Sequence, residues 1–184
     1  METLKYYQID LKDLSQATTY KFDYLLDDYF FDCIKGTEVK KGKVNAALSV
    51  VRFLTTFELD FQINGMITVT CDRCLEEFEI PVETANRLIV SFGQAYAEIS
   101  DERIIVSEEE GFINIAWLMY EFIALAIPMK HVHKPGDCNE VMASKLREHC
   151  VDELMEADGI SEAGNRKHAA DPRWDILRNL KKEN

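Results

Sequence analysis

The sequence lacks the marks of several protein classes. Its opening, Met1-Glu2-Thr3-Leu4-Lys5, has no apolar core of a secretory signal, so a cytoplasmic protein is expected. No long hydrophobic run is present. The longest, Phe112 to Met129, is interrupted by Asn114 and Glu121 and ends in a proline zone, which is too short and too broken to span a bilayer. No membrane is therefore expected among the partners. Cations are scarce: 21 Lys and Arg stand against 33 Asp and Glu, for a net charge of −12. Such a chain repels nucleic acid on average, which excludes a general phosphate-backbone binder. Contact with RNA would need a local basic patch or a protein partner, and basic ribosomal proteins would be attracted. There is no Gly-rich phosphate loop, nucleophile elbow or H-E-x-x-H helix, and the expectation is a protein that is not an enzyme. Cysteines number five, an odd count that argues for reduced thiols or metal ligands over a disulfide framework. No internal repeat is visible.

What is present is a globular chain of 184 residues, 47% hydrophobic and 29% charged. Tyr20, Phe22 and Tyr24 alternate on one side of a strand, and a weaker strand is expected at Tyr6–Leu11. Tyr29-Phe30-Phe31 reads as a core lid in preference to a stacking platform for bases. Lys40-Lys41-Gly42-Lys43 reads as a short basic turn. Val44–Val51 and Thr55–Ile63 read as strands, and Asn64-Gly65 as a hairpin turn. Parity favours a three-residue loop that sets Phe61 against Ile67, Leu59 against Val69 and Phe57 against Cys71. Phe78, Ile80 and Val82 continue the alternation, with Pro81 marking an edge or a bulge. Leu88, Val90 and Phe92 follow, then a short strand at Arg103–Val106 inside an acidic loop. A helix is predicted over Asn114–Ile127, capped by Asn114, with Ile115, Leu118, Met119, Phe122 and Leu125 or Ala126 on its apolar face. Pro128 ends it.

The expected fold class is α+β: an antiparallel β unit of about five strands, as an open barrel or sandwich-like sheet, with a packed helix and a helical C-terminal extension. The expected division is 1–138 for the β domain and 139–184 for a polar, partly flexible extension. Within the extension, Asn139–Ala157 reads as helical and 158–170 as mobile. Asp171-Pro172 starts a last helix carrying Trp174, Leu177 and Leu180.

Chemistry is concentrated at Cys71-Asp72-Arg73-Cys74. Two thiols separated by two residues can grip one soft metal ion, and the pair lies at a strand end where metal knuckles sit. The same spacing serves dithiol redox chemistry, and two unrelated core thiols are the plain alternative. A closed site needs two further ligands. His131, His133, Cys138, His149 and Cys150 are the candidates. His133 and Cys138 sit in a Pro/Gly turn that can fold back on the knuckle, and the expected set is Cys71, Cys74, His133 and Cys138, holding at most one zinc per chain. His149 and Cys150 are adjacent on a helix and point apart. Cys33 reads as a small buried hydrophobe.

The knuckle and its flanks resemble the YceD family, the large ribosomal RNA subunit accumulation proteins of bacteria. The resemblance lies in Gly65, Cys71-Asp72-Arg73-Cys74-Leu75-Glu76, Phe78, Pro81-Val82, the Ile115–Ile127 helix, Ala126-Ile127-Pro128-Met129 and Asp171-Pro172-Arg173-Trp174-Asp175-Ile176-Leu177. It implies a non-enzymatic role in accumulation of large-subunit (23S) ribosomal RNA, and so in ribosome biogenesis. Many members resemble a four-cysteine pattern with a later C-P-x-C-G element. Here His133 stands where the first cysteine of the second pair falls, Cys138 stands roughly at the next, and the later element is missing.

Partners implied are a ribosomal precursor particle, ribosomal RNA or a basic ribosomal protein. In the final 14 residues, four cations (Arg173, Arg178, Lys181 and Lys182) stand against three acids, and Trp174 adds a flat apolar surface. This segment is the expected contact element. Its alternative is a helix packed back on the domain. Two other functions stay open at this level: a dithiol oxidoreductase using Cys71 and Cys74, and a protein-interaction adaptor with a vestigial metal site. Oligomeric state has no signature.

Overall fold

Alternation of apolar and polar residues lays down a frame of long strands. The computed structural model describes residues 3–15 and 18–149. The chain passes through a 3-10 turn (Thr3–Tyr7), β1 (Gln8–Asp10), β2 (Thr19–Leu26), α1 (Asp28–Ile34), β3 (Lys41–Phe53), β4 (Thr56–Thr70) and β5 (Glu77–Gly93). It continues through β6 (Ala97–Ser100), β7 (Arg103–Ser107), β8 (Phe112–Asn114), α2 (Ala116–Leu125) and α3 (Glu140–His149). One six-stranded sheet has the order β2-β3-β4-β5-β7-β6, and β1 pairs with β8 apart from it. All neighbours are antiparallel except β5 and β7, which run parallel. The sheet ends at β2 and β6 and does not close, so the fold is α+β with an open sheet and no barrel. The chain divides into two units, Met1–Leu146 and Arg147–Asn184. Apart from residues 147–149, the second unit lies outside the described residues, and so do Cys150 and the expected last helix with Arg173, Trp174, Arg178, Lys181 and Lys182.

Register shows which face is buried. Tyr24 lies opposite Ala46, Ala46 opposite Ile63, Leu48 opposite Phe61 and Leu59 opposite Leu88. Phe57, Leu59, Phe61 and Ile63 are all 1% exposed or less. Burying each such side chain is worth about 1.5–3 kcal/mol, so this one strand face anchors the core. The intervening Glu58, Asp60 and Gln62 point the other way, where Arg87 meets both Glu58 (2.7 Å) and Asp60 (2.8 Å).

The hairpin expected at Asn64-Gly65 does not exist. β4 is continuous over 15 residues, from Thr56 to Thr70. The turn that precedes it is at Leu54, which takes a positive φ of 53°. Phe61 faces Leu48 and Asn86, and Ile67 faces Gly42 and Ile80. The parity argument could not tell the two arrangements apart. A three-residue loop centred on residue 64 and an unbroken strand put the same odd-numbered residues on one face. Gly65 serves close approach instead of a turn: a Cβ there would lie 2.3 Å from the Lys43 carbonyl oxygen and 2.5 Å from the Val44 Cα. The basic turn at Lys40–Lys43 is likewise replaced, because β3 begins at Lys41, whose ammonium meets Glu77 at 2.9 Å. Pro81 does sit at an edge, since β5 has only β4 beside it there and meets β7 only from Ile89 onward.

Two helices cover the buried face. The aromatic cluster is α1, started by Asp27, whose carboxylate accepts from the Phe30 N–H at 3.1 Å. Phe30 and Phe31 are buried and Tyr29 is exposed, which makes this the expected lid. α2 is shorter than expected, and of its expected face Ile115, Met119 and Phe122 are buried and Leu118 and Ala126 pack against the core, whereas Leu125 does not. Ala116, Tyr120 and Ile123 also face inward, and Leu125 is 82% exposed. Asn114 is not the cap residue itself, but its Oδ1 accepts from the Ala116 N–H at 3.0 Å, which stabilises the same helix end. Tyr120 reaches across to the β3 approach, where its hydroxyl accepts from the Glu38 N–H at 3.0 Å.

Gly65→Ala is expected to lower stability by about 1–3 kcal/mol, because the new methyl meets backbone on both contacts and neither can rotate away. Urea unfolding monitored by circular dichroism should show the midpoint falling with an unchanged slope. An unchanged midpoint would contradict the close approach.

Candidate metal centre

β4 and β5 form one long hairpin, with Thr70 paired to Glu77, and residues 71–76 are its connection. Two backbone bonds shape that loop: the Cys71 N–H donates to the Glu76 carbonyl (2.9 Å) and the Leu75 N–H to the Cys71 carbonyl (3.0 Å). Leu75 takes φ 63°, the left-handed conformation that turns the chain back into β5. The result presents both sulfurs inward, with Cys71 0% and Cys74 3% exposed.

The facing segment runs between α2 and α3. The turn Lys134–Asp137 is closed by the Asp137 N–H on the Lys134 carbonyl at 3.0 Å, with Gly136 at φ 98°. It carries His133 and Cys138 to the knuckle. The Sγ atoms of Cys71 and Cys138 are 3.9 Å apart, and His133 Nδ1 lies 3.3 Å from Cys74 Sγ and 3.9 Å from Cys138 Sγ. All four donor atoms fall within 4.8 Å of one another. A tetrahedral zinc ion requires sulfur pairs roughly 3.8 Å apart and sulfur–nitrogen pairs roughly 3.6 Å apart, given its bond lengths. The four residues fit that geometry, and three thiols with one imidazole are a donor set that suits zinc among divalent metals.

A set of contacts around these donors holds the two segments in register. The Asp72 N–H donates to the His131 carbonyl at 3.0 Å, and the His131 N–H returns a bond to Asp72 Oδ2 at 2.9 Å. His131 Nε2 also lies 3.5 Å from Asp72 Oδ1. His131 is therefore a brace and not a member of the donor cluster. The Phe78 ring stacks on His133 with centroids 4.4 Å apart, which fixes the imidazole with Nδ1 inward. Asn139 Nδ2 donates to Glu76 at 2.8 Å while its Oδ1 accepts from the Val141 N–H at the start of α3. The roles of Asp72, Glu76 and Phe78 were not legible beforehand, since their contacts with His131, Asn139 and His133 join residues far apart in sequence. The nearest available hint was a carboxylate and an amide flanking the two ligand pairs. His149 is not in the cluster, and Cys33, expected to be buried, is half-buried.

The thiols are not equivalent. Burial works against a thiolate at Cys71, but hydrogen bonds from the backbone at Cys74, His133 and Arg73 outweigh it and bring the thiol down to about 6. Burial, followed by the Cys71 and Cys74 sulfurs, pushes Cys138 up to about 11. Without a cation, charge concentrates on Cys71. A bound metal ion would allow the other sulfurs to ionise as well.

A family model described as "Large ribosomal RNA subunit accumulation protein YceD" matches residues 59–181, which include all four donors. No match is found to a curated protein or to a solved structure.

Protein purified under reducing conditions is expected to carry about one zinc per chain, measured by atomic emission. Cys74→Ala should abolish retention and lower the melting temperature, because the ion's binding energy is folding energy. Asp72→Ala, which removes only the brace, should weaken zinc by about 10–100-fold. Equal zinc content in all three proteins would exclude the site.

Metal-free protein should show a specific pH profile. Cys71 is lowered from 9.0 to about 6, so its contribution to stability is full above 9.0 and lost as pH falls through 6. Cys138 is raised from 9.0 to about 11, so its contribution is full below 9.0 and lost as pH rises through 11. In thermal melts the metal-free chain should therefore lose stability as pH falls and Cys71 takes up its proton, and Cys71→Ser should flatten that acid limb.

Proposed function

The chain belongs to the YceD family, and on that premise we propose that it is a non-enzymatic cytoplasmic factor that supports accumulation of large-subunit (23S) ribosomal RNA during ribosome biogenesis, with a zinc ion clasping its two halves at Cys71, Cys74, His133 and Cys138. The observation that carries the reading is the coincidence of the family match with a four-donor cluster lying wholly inside it. Four protein donors fill a tetrahedral ion and leave no position for water or substrate, which suits a structural role. The dithiol oxidoreductase reading is disfavoured by the same geometry. Despite burial, backbone hydrogen bonds do lower the Cys71 thiol, but both knuckle sulfurs are buried away from a disulfide partner in solution, and the pair leads into β5 instead of opening a helix. Among the described residues no helix is long and apolar enough to cross a membrane.

With a net charge of −12, the chain reaches RNA most readily through a protein partner or its own few cations. The C-terminal segment carrying Arg173, Trp174, Arg178, Lys181 and Lys182 is the part proposed to touch a ribosomal precursor particle, ribosomal RNA or a basic ribosomal protein. Truncation before Asp171 should leave the melting temperature of the remainder unchanged and abolish co-sedimentation with large-subunit precursors. Unfolding, or undiminished co-sedimentation, would remove the contact role.

Depleting the protein in its native cell should lower the ratio of large- to small-subunit ribosomal RNA, measured by electrophoresis of total RNA. The wild-type chain should restore the ratio, and a chain with Cys71→Ser and Cys74→Ser should not. A ratio unmoved by depletion would overturn the function.

A further inference from the structure

An open groove of about 780 Å³ lies between α2 and the β6–β7 hairpin, and none of its lining residues belongs to the metal centre. Its floor combines Ile104 and Phe122, which come up from the core, and Leu118 with Ala85 and Asn86 of β5. Its walls are apolar, and they face water. Ile99 on β6 is 58% exposed and Leu125 on α2 is 82% exposed. Leu125 is the last residue of α2, beyond the Phe122 and Ile123 that meet the core, and it lines the groove.

The rim is acidic on both banks. Glu98, Asp101 and Glu102 stand on the hairpin side and Glu121 stands on the helix side. The lining cation is Arg87, and its guanidinium is already engaged by Glu58 and Asp60 on the neighbouring strand. Tyr96 donates its hydroxyl to Glu98 at 2.7 Å and the Trp117 indole N–H donates to Glu121, both neutral donors, while Glu102 lies in the field of Arg87. Apolar anchors inside a negative ring form the complement of a cationic amphipathic segment.

We propose that this groove binds a lysine- and arginine-rich protein segment whose spaced apolar side chains seat against Ile99, Phe122 and Leu125 while its cations meet Glu98, Asp101, Glu102 and Glu121. The inference rests on the ribosomal reading for its choice of partner, because ribosomal proteins are basic. RNA is disfavoured by four carboxylates around the opening. A second copy of this chain would bring the same carboxylates face to face.

The test uses the full chain and two labelled synthetic peptides of equal length, each with leucine at helical spacing. One carries lysine on its polar face and the other glutamate. Fluorescence anisotropy should show binding of the lysine peptide and none of the glutamate peptide. Leu125→Ala should weaken binding about tenfold, a loss usual for an anchor side chain. Glu98→Gln with Glu121→Gln should weaken it and reduce its salt dependence. Glu108→Gln with Glu109→Gln and Glu110→Gln, outside the groove, should leave it unchanged. Ile99 and Leu125 are exposed, so melting temperatures should hold in the groove variants. Equal loss in the Glu108–Glu110 variant would mean a diffuse charge effect and overturn the site. Binding of a single-stranded RNA that Leu125→Ala weakens would reassign the groove to RNA. A dimer by sedimentation that Leu125→Ala converts to monomer would reassign it to self-association. Failure of the peptide experiment leaves the ribosomal RNA ratio to stand or fall by its own measurement.

Discussion

The close approach of two backbones at Gly65 is the constraint on which the rest of the first unit depends. It lets β4 run unbroken between β3 and β5, with Val44 on one side of Gly65 and Val82 on the other. A side chain there would meet backbone that cannot yield. Because β4 continues, its odd-numbered residues stay on the buried face from Phe57 through Val69, and Cys71 arrives on that face at the strand's end. The position of the metal knuckle is thus an outcome of strand parity, set before any ligand chemistry enters.

The second half of the site is placed by helix packing. α2 docks through Met119, Tyr120 and Ile123, and its end delivers the chain to His131. The two hydrogen bonds between Asp72 and His131, one between backbones and one to the Asp72 carboxylate, then fix the spacing at which His133 and Cys138 meet the sulfurs. Two independent packing solutions converge on one cluster of donors, with polar contacts, not apolar burial, making the last adjustment.

Periodicity made the strands and their buried face legible, along with the antiparallel class. It could not supply connectivity. Asn64-Gly65 is a strong turn signal locally, but Gly65 was selected by a neighbouring strand invisible to a local reading. α1 was missed because seven residues are too few for a helical period to show, although its aromatic residues were rightly placed over the core. The face of α2 was legible at Ile115, Met119 and Phe122, but nearly every residue of that helix is apolar, so spacing alone could not choose between Ile123 and Leu125. The donors were legible because metal chemistry constrains residue type and turn composition together. Asp72, Phe78, Glu76 and Asn139 were not, since any polar or aromatic residue could have filled those places.

The distance along the chain between the two halves of the donor cluster bears on the unfolded ensemble. Cys74 and His133 touch across 59 residues of sequence. A metal held at both ends ties that length into a loop, much as a covalent cross-link does. By the entropy of loop closure, a link of this span removes about 4 kcal/mol of freedom from the disordered chain. Three of the six sheet strands, β5, β6 and β7, lie inside that loop together with α2. Gain or loss of one ion would therefore alter how cheaply the whole segment can come apart, even where no strand contact changes.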